Sequence, residues 1–146
     1  MLIASQSTSE IQLLKQRLKA EFEMKELGEA KKILGMEISR DKHHRKIYLS
    51  QRSYLAKLLA RFGMSDAKAV KVPFASHFKL SSDQSPKDED SRKEMANIPY
   101  SSAVGSLMYG MVCTRPDLAH GMSVISRFMA NPGKPHWLAV KWMCLS

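Results

Sequence analysis

The stretch AVGSLMYGMVCTRPDLAHGMSVISRFMANPGKPHWLAVKW, residues 103–142, decides the fold of this chain because it holds three helical patterns and two helix-stop signals. The first pattern is an apolar stripe with helical spacing, formed by Val104, Leu107, Met108, Met111 and Val112. The sequence Thr114-Arg115-Pro116 stops that helix, because a proline drives the residue before it out of the helical region. The stretch therefore predicts a helical region in the second half of the chain.

Two more helices of this region are indicated by their start signals. Thr114 and Asp117 have the spacing of a helix cap, and a second apolar face follows them, formed by Leu118, Met122, Ile125 and Met129. The sequence Asn131-Pro132-Gly133 then breaks the chain, and Pro135 suits the first turn of a third helix. No stop signal follows in residues 137–146, so this last helix is expected to be cut from a longer one.

The part of the chain before residue 76 predicts a helix, a β-hairpin and another helix. Ser7 and Glu10 form a capping-box pattern, and the apolar stripe behind it is expected to face a sheet, with members Ile11, Leu14, Leu18 and Phe22. From Leu34 the hydrophobic period changes to two, which predicts strands on either side of a polar turn at residues 42–45. A further helical stripe ends at Gly63, and the sequence Leu2-Ile3-Ala4 predicts a strand.

Residues 76–98 are polar and lack apolar periodicity, so they are predicted to form a linker without regular structure. This divides the chain into units 1–75 and 99–146. The densest acidic cluster, Asp88-Glu89-Asp90, lies in the linker, whereas Asp41 and Asp66 are isolated. Catalysis by a pair of metal ions requires carboxylates that rigid elements hold close together. The sequence therefore predicts no catalytic residue and no metal site.

The composition excludes several classes of protein. The apolar content is 44% and the mean hydropathy is −0.30, and no run of about 18 apolar residues that would span a membrane is present. No export signal is recognisable, so the protein is expected to be intracellular, cytoplasmic or nuclear, and not to bind membranes. Cys113 and Cys144 lack the spacing of a disulfide framework or a zinc site, and both are expected in the core.

The net charge of +9 is concentrated in the first half of the chain. Between residues 40 and 61 the basic residues far outnumber the single acid, Asp41, and such an excess attracts phosphate backbones. A solvated surface with no partner gives the same composition, so both interpretations remain open. The basic residues proposed as candidates for nucleic-acid binding are Arg40, Lys42, Arg45, Lys46 and Arg52.

Four short motifs carry a resemblance to a known family: Gly105-Ser106-Leu107, Thr114-Arg115-Pro116-Asp117, Ser126-Arg127-Phe128 and His136-Trp137. Together they resemble the thumb of the reverse transcriptase in copia-type long-terminal-repeat retrotransposons. The similarity continues upstream through residues 22–64, so it covers almost the whole chain. It implies an α+β fold, with a truncated palm of strand, helix and hairpin (residues 1–75) followed by a helical thumb (residues 99–146).

The resemblance also implies a function. Leu34-Gly35-Met36 is similar to the family's primer grip, where a strand and its turn press on the sugar-phosphate chain of the primer; a simple bulge at the glycine is the alternative. The implied partners are the primer–template duplex of RNA or DNA, the N-terminal part of the enzyme and the downstream RNase H of the Pol polyprotein.

The resemblance also sets a limit on activity. The family's catalytic Tyr-x-Asp-Asp sequence is expected immediately before Met1. The chain is therefore expected to be inactive as an RNA-directed DNA polymerase on its own, and Mg²⁺ would belong to the parent enzyme, with no cofactor in this fragment. The alternatives are a non-catalytic basic nucleic-acid-binding module and a decayed transposon reading frame without function.

Overall fold

The computed structural model describes residues 1 and 3–146 and has an α+β architecture. The elements in chain order are α1 (Thr8–Glu21), β1 (Lys32–Ile33), β2 (Met36–Asp41), β3 (Lys46–Ser50), α2 (Arg52–Arg61), α3 (Glu89–Ala96), α4 (Tyr100–Cys113), α5 (Ala119–Ile125) and α6 (Lys134–Cys144). In the described part of the chain, no helix has the length and apolar character needed to cross a bilayer.

The sheet is antiparallel, with the strand order β1-β2-β3. The predicted hairpin is confirmed as β2 and β3, whose register places Asp41 opposite Lys46 and Glu37 opposite Ser50. The short strand β1 was not predicted. Strand β3 is an edge strand, and the side chains in its middle are exposed: Ile47 by 66%, Tyr48 by 52% and Leu49 by 52%. Both faces of β3, and the edge that does not pair with β2, are therefore exposed to solvent.

Helix α1 begins as predicted but does not pack as predicted. The hydroxyl oxygen of Ser7 accepts a hydrogen bond from the backbone N–H of Glu10 at 3.3 Å, which confirms the N-cap. The expectation that its apolar stripe faces a sheet is wrong, because α1 has no buried residue and Phe22 is 62% exposed. Of the predicted strand at the N-terminus, Leu2 lies outside the described residues, and Ile3 and Ala4 belong to no strand.

The core lies between α4, α5 and α6, with α2 packed against them. Its buried apolar side chains include Leu58, Val104, Leu107, Leu118, Met122, Ile125, Val140 and Met143. Tyr100 is also buried, its hydroxyl donates to the carbonyl oxygen of Ile125 at 2.7 Å, and burial raises the pKa of Tyr100 to about 12. The predicted core positions Met108 and Val112 are exposed because the buried face of α4 is narrower than its apolar stripe, and Met129 is exposed because α5 ends at Ile125, before it.

The C-terminus of α2 confirms the prediction for Gly63. This glycine has a φ of 66°, its N–H donates to the carbonyl oxygen of Ala60 at 3.1 Å, and the N–H of Met64 donates to that of Leu59 at 2.8 Å. These two bonds form a Schellman motif, in which a residue with positive φ satisfies the last carbonyl groups of the helix. Met64 is buried, so the chain leaving the helix is fixed to the core.

The start of the region after α4 differs from the prediction. Thr114 and Asp117 do not cap the next helix; residues 116–118 form a short 3₁₀ turn before α5, with no side-chain cap. The hydroxyl of Thr114 donates instead to Gln51 at 2.6 Å, and Asp117 forms a bidentate ion pair with Arg115 at 3.0 and 2.8 Å. The prediction for Pro135 is confirmed, since it lies in the first turn of α6.

The polar segment 76–98 contains regular structure, so the expectation of an irregular linker is wrong for part of it. Residues 82–84 form a 3₁₀ turn and residues 89–96 form α3. The side chain of Asp88 caps α3 by accepting from the N–H of Ser91 at 2.8 Å, and this bond lowers the pKa of Asp88. Met95 of α3 is buried. Whether the segment separates two functional units stays a prediction.

His136 connects this segment to α6. Its ring is fully buried and stacks on Phe128 with 4.0 Å between the ring centroids. Nδ1 accepts from the N–H of Gly133 at 2.8 Å, and Nε2 lies 3.1 Å from the carbonyl oxygen of Ser81. Because Nδ1 accepts, Nε2 carries the proton and donates to Ser81. Burial lowers the pKa of His136, so the ring is neutral.

Candidate nucleic-acid interface

Leu34 and Gly35 form the two-residue connection between β1 and β2. Ile33 pairs with Met36, and the two residues between them have φ values of 47° and 75°. Positive φ at both positions is typical of a type I′ turn, which matches the twist of the flanking strands. Gly35 adopts this backbone freely, whereas a left-handed conformation costs a residue such as Leu34 about 1–2 kcal/mol. Leu34 therefore begins no strand, contrary to the prediction, and Met36 is the first residue of β2.

Two tyrosines hold this turn against the helical region. The hydroxyl of Tyr109, in α4, donates a hydrogen bond to the carbonyl oxygen of Leu34. The ring of Tyr109 meets that of Tyr54 edge to face at 5.2 Å, and the hydroxyl of Tyr54 donates to the carbonyl oxygen of Ser106 at 3.0 Å. Sequence reasoning identifies neither tyrosine as part of this site, because no local signal indicates a contact between positions 75 residues apart.

The basic candidates on the hairpin do not share one face. Arg40 lies opposite Ile47 and Lys46 lies opposite Asp41. Paired residues of an antiparallel sheet project to the same side and neighbours along a strand to opposite sides, so Arg40 and Lys46 lie on different faces. Lys42 and Arg45 lie in the four-residue turn between the strands, where Arg45 has a φ of 54°.

Two of these cations already have partners within the chain. Arg40 donates through Nη1 to the carbonyl oxygen of Ala30 at 2.6 Å. Lys42 forms an ion pair with Glu29 at 3.1 Å, and this contact lowers the pKa of Glu29. The side chains of both residues are largely exposed, and such a surface pair is weak enough to exchange one anion for another.

The carboxylate of Asp41 is engaged inside its own turn. It accepts from the backbone N–H of His44 at 3.0 Å and contacts the ring of His44 at 2.7 Å, and the backbone bond is the main cause of its lowered pKa. Within the described residues, no acidic side chain forms an ion pair with Arg45, Lys46 or Arg52. The end of the hairpin therefore presents cations that are available to an external anion.

Arg52 begins α2 beside a shallow cleft of about 460 Å³. The cleft is lined by β3, α2 and the residues that follow α4, including Leu49, Leu55, Leu59, Thr114 and Arg115. At its edge Gln51 is 2% exposed, and its Nε2 has no hydrogen-bond partner among the described residues while its Oε1 accepts from Thr114. This buried amide ties the hairpin side of the chain to the end of α4.

Within the described residues, the carboxylates lie apart from one another or are bonded to near neighbours. Asp88 is occupied as the cap of α3, and Asp41 and Asp117 are bonded to neighbours within three residues. Across residues 1 and 3–146, no group of three or more His, Cys, Asp or Glu side chains converges on a point. The described residues therefore do not fit the pair of magnesium ions that the family resemblance implies.

The structure thus combines a small α+β unit with a tight turn at Leu34–Gly35 and a hairpin that carries cations. Residues 1–76 match the family described as reverse transcriptase (RNA-dependent DNA polymerase), and the chain belongs to this family. The family resemblance that the sequence motifs indicated is confirmed.

Two of the relatives that the chain resembles are polyproteins of transposons. The chain is 52% identical over 143 residues to the retrovirus-related Pol polyprotein from transposon TNT 1-94 of Nicotiana tabacum, which covers 98% of the chain and 11% of that protein. It is 37% identical over 132 residues to the Pol polyprotein from transposon RE2 of Arabidopsis thaliana, covering 88% of the chain and 8% of that protein.

A shorter relative is also similar. A putative transposon Ty5-1 protein of Saccharomyces cerevisiae is 30% identical over 136 residues, covering 93% of the chain and 42% of that protein. The chain thus spans less than half the length of each of these three relatives. No solved structure matches the chain.

Proposed function

We propose that this chain is the part of a copia-type reverse transcriptase that holds the primer–template duplex. In this proposal residues 1–75 are the rear of the palm, residues 99–146 are the thumb and residues 76–98 join them. The observation that carries the proposal is the Leu34–Gly35 turn, which is similar in sequence to the primer grip and is fixed to α4. Membership of the reverse transcriptase family supports it.

The electrostatics of the hairpin support contact with a phosphate backbone. Lys42, Arg45 and Lys46 lie at the end of the β2–β3 hairpin, and two of them have no acidic partner among the described residues. Arg40 and Arg52 lie nearer the body of the protein and complete the proposed binding set, with Leu34, Gly35 and Met36 at the primer. Phosphate contacts position a protein on a duplex without reading its sequence, so we expect little preference among duplex sequences.

We propose further that the 146-residue chain binds but does not polymerise. Its one acidic cluster caps a helix, and its other carboxylates lie apart. Nucleotidyl transfer by two metal ions requires carboxylates in one place. The parent polyprotein would contain the catalytic part and the RNase H, and Mg²⁺ would bind to the catalytic part. Purified chain is therefore expected to extend no primer with magnesium or manganese, and extension that is lost on mutating its own carboxylates would contradict this.

The binding proposal is tested by the salt dependence of affinity. Fluorescence anisotropy with a labelled RNA/DNA primer–template gives the dissociation constant of the wild-type chain over a range of salt concentrations. Replacing Lys42, Arg45 and Lys46 together by Ala should flatten the logarithmic slope by about 2–3, because each phosphate contact removed changes it by roughly 1. The weak pair between Lys42 and Glu29 does not prevent this, since phosphate can replace the carboxylate.

The matched control removes the same charge from another surface. Lys79, Lys87 and Lys93 lie in the polar segment, and their replacement by Ala should leave the slope nearly unchanged. Equal losses of slope in the two triple variants would mean that the duplex senses only net charge, and the proposed interface would be abandoned.

A further inference from the structure

We propose that Tyr109 is a positioning residue, which sets the place of the Leu34–Gly35 turn on the nucleic-acid-binding surface. The inference rests on the proposed function, because the turn is the part of the chain that we assign to the primer. Tyr109 lies in α4, far along the chain from the turn, and its hydroxyl donates to the carbonyl oxygen of Leu34. It acts on the nucleic acid through the turn.

The turn has little else to hold it in place. The side chain of Leu34 is 74% exposed, and Gly35 has no side chain, so burial does not anchor either residue. The strand before the turn, β1, is only two residues long. Among the described residues, the bond from Tyr109 is the side-chain hydrogen bond that this turn receives. Its orientation relative to the helices therefore depends on the Tyr109 hydroxyl.

The hydroxyl itself has a defined position. The edge-to-face contact with Tyr54, at an interplanar angle of 71°, limits rotation of the Tyr109 ring. The hydroxyl of Tyr54 donates separately to the carbonyl oxygen of Ser106, and the contact with Tyr109 is made by the Tyr54 ring alone. The neighbouring Cys113 side chain raises the pKa of Tyr109, so its hydroxyl keeps its proton and remains a donor near neutral pH. Gly35 also lies next to this hydroxyl, because a Cβ added at position 35 would be 3.5 Å from the Tyr109 hydroxyl oxygen.

Loss of the hydroxyl should affect the turn and leave the rest of the interface in place. The cations of residues 42–46 lie at the other end of β2, and among the described residues the hydrogen bond and the ring contact of Tyr109 go to Leu34 and Tyr54 instead. Without the bond, what holds the turn among the described residues is the pairing of β1 with β2. The phosphate contacts of the hairpin end would persist, whereas the contact at the turn would weaken.

The test compares Tyr109→Phe with Tyr54→Phe in the full 146-residue chain. Each change removes one hydroxyl and one hydrogen bond to a carbonyl oxygen, and both keep the aromatic rings in contact. Tyr109→Phe should weaken binding of the RNA/DNA primer–template about fivefold, the equivalent of one hydrogen bond, and should shift and broaden the amide resonance of Gly35. Tyr54→Phe should leave the Gly35 resonance and the affinity close to wild type, at a similar thermal stability.

The two readouts separate the inference from the proposed function. If wild-type chain binds and both variants lose affinity equally, or neither does, Tyr109 has no positioning role. An unmoved Gly35 resonance in Tyr109→Phe overturns the inference whatever the affinity. Absence of salt-dependent binding by the wild-type chain would contradict the proposed function. If the Gly35 resonance still shifts in Tyr109→Phe and not in Tyr54→Phe, the hydrogen bond from Tyr109 nevertheless positions the turn.

Discussion

Replacing Gly133 by Ala tests whether the polar segment is docked on α6. A Cβ at this position would overlap the backbone carbonyl oxygen of Gln84 and would lie 3.1 Å from its carbon and 3.5 Å from the Cα of Ser85. These are backbone atoms, which cannot rotate away as a side chain can. Either the loop at residues 131–133 or the turn at residues 82–84 must therefore move.

The cost of that movement follows from the bonds of His136. Separating the two segments breaks the bond from its Nε2 to Ser81, and the ring is fully buried. A buried donor without a partner costs about 1–3 kcal/mol, and the lost hydrogen bond is worth about 1 kcal/mol. We expect Gly133→Ala to reduce the free energy of unfolding by about 2–4 kcal/mol.

The same chemical change at Gly105 is the control. Gly105 lies inside α4, is exposed, and has open space where its Cβ would be. Alanine is favoured over glycine in a helix interior by about 1 kcal/mol, so Gly105→Ala should stabilise the chain. The two variants are thus predicted to change stability in opposite directions.

Urea unfolding followed by circular dichroism and tryptophan fluorescence measures both effects, because Trp137 adjoins His136 in α6. With a denaturant slope of about 2 kcal/mol/M, the midpoint of Gly133→Ala should fall by about 1–2 M. A midpoint equal to that of the wild type would refute the close packing of Gly133 on Gln84 and, with it, the docking of the polar segment.

Two further predictions concern pH and proteolysis. The folded-state pKa of His136 is lowered by burial, so the unfolded chain takes up more protons below about pH 6.5, and the urea midpoint should fall between about pH 7.5 and 5.5. A ring resonance of His136 that titrates at or above the ordinary histidine range would contradict this. Limited trypsin digestion should cut first at Lys25, in residues 22–31, which hold no helix or strand and expose Phe22 and Leu27. Earlier cuts at Lys87 or Lys93 would show instead that the polar segment is the loosest part of the chain.

Local signals predicted the helices and their ends well. The stripe from Val104 through Leu107 identified α4, the glycine at position 63 identified the end of α2, and Pro135 identified the start of α6. Each of these signals acts within about one turn of its own position, which is why sequence alone reveals it. The helix α3 was missed because its sequence is polar and its single buried residue, Met95, makes no stripe.

The predictions that were wrong concern features that depend on contacts between residues distant in the chain. The stripe of α1 has the period of a packed helix, but no element of the described chain covers it. The candidate site shows the same limit: the basic residues were evident from composition, whereas the strand register that separates Arg40 from Lys46 was not. Tyr54 and Tyr109 carried no local signal, because their role depends on where a turn meets a helix.

The open edge of β3 has a practical consequence for handling this protein. Ile47, Tyr48 and Leu49 form a short exposed run whose outer backbone groups are available to pair with another strand. Lys46 and Arg45 precede the run, and flanking charges of this kind oppose self-association by repulsion. High salt screens that repulsion, and Lys46→Ala removes part of it. We therefore expect aggregation to increase at high salt, most of all in the triple variant of Lys42, Arg45 and Lys46. Light scattering measures this during the salt titration.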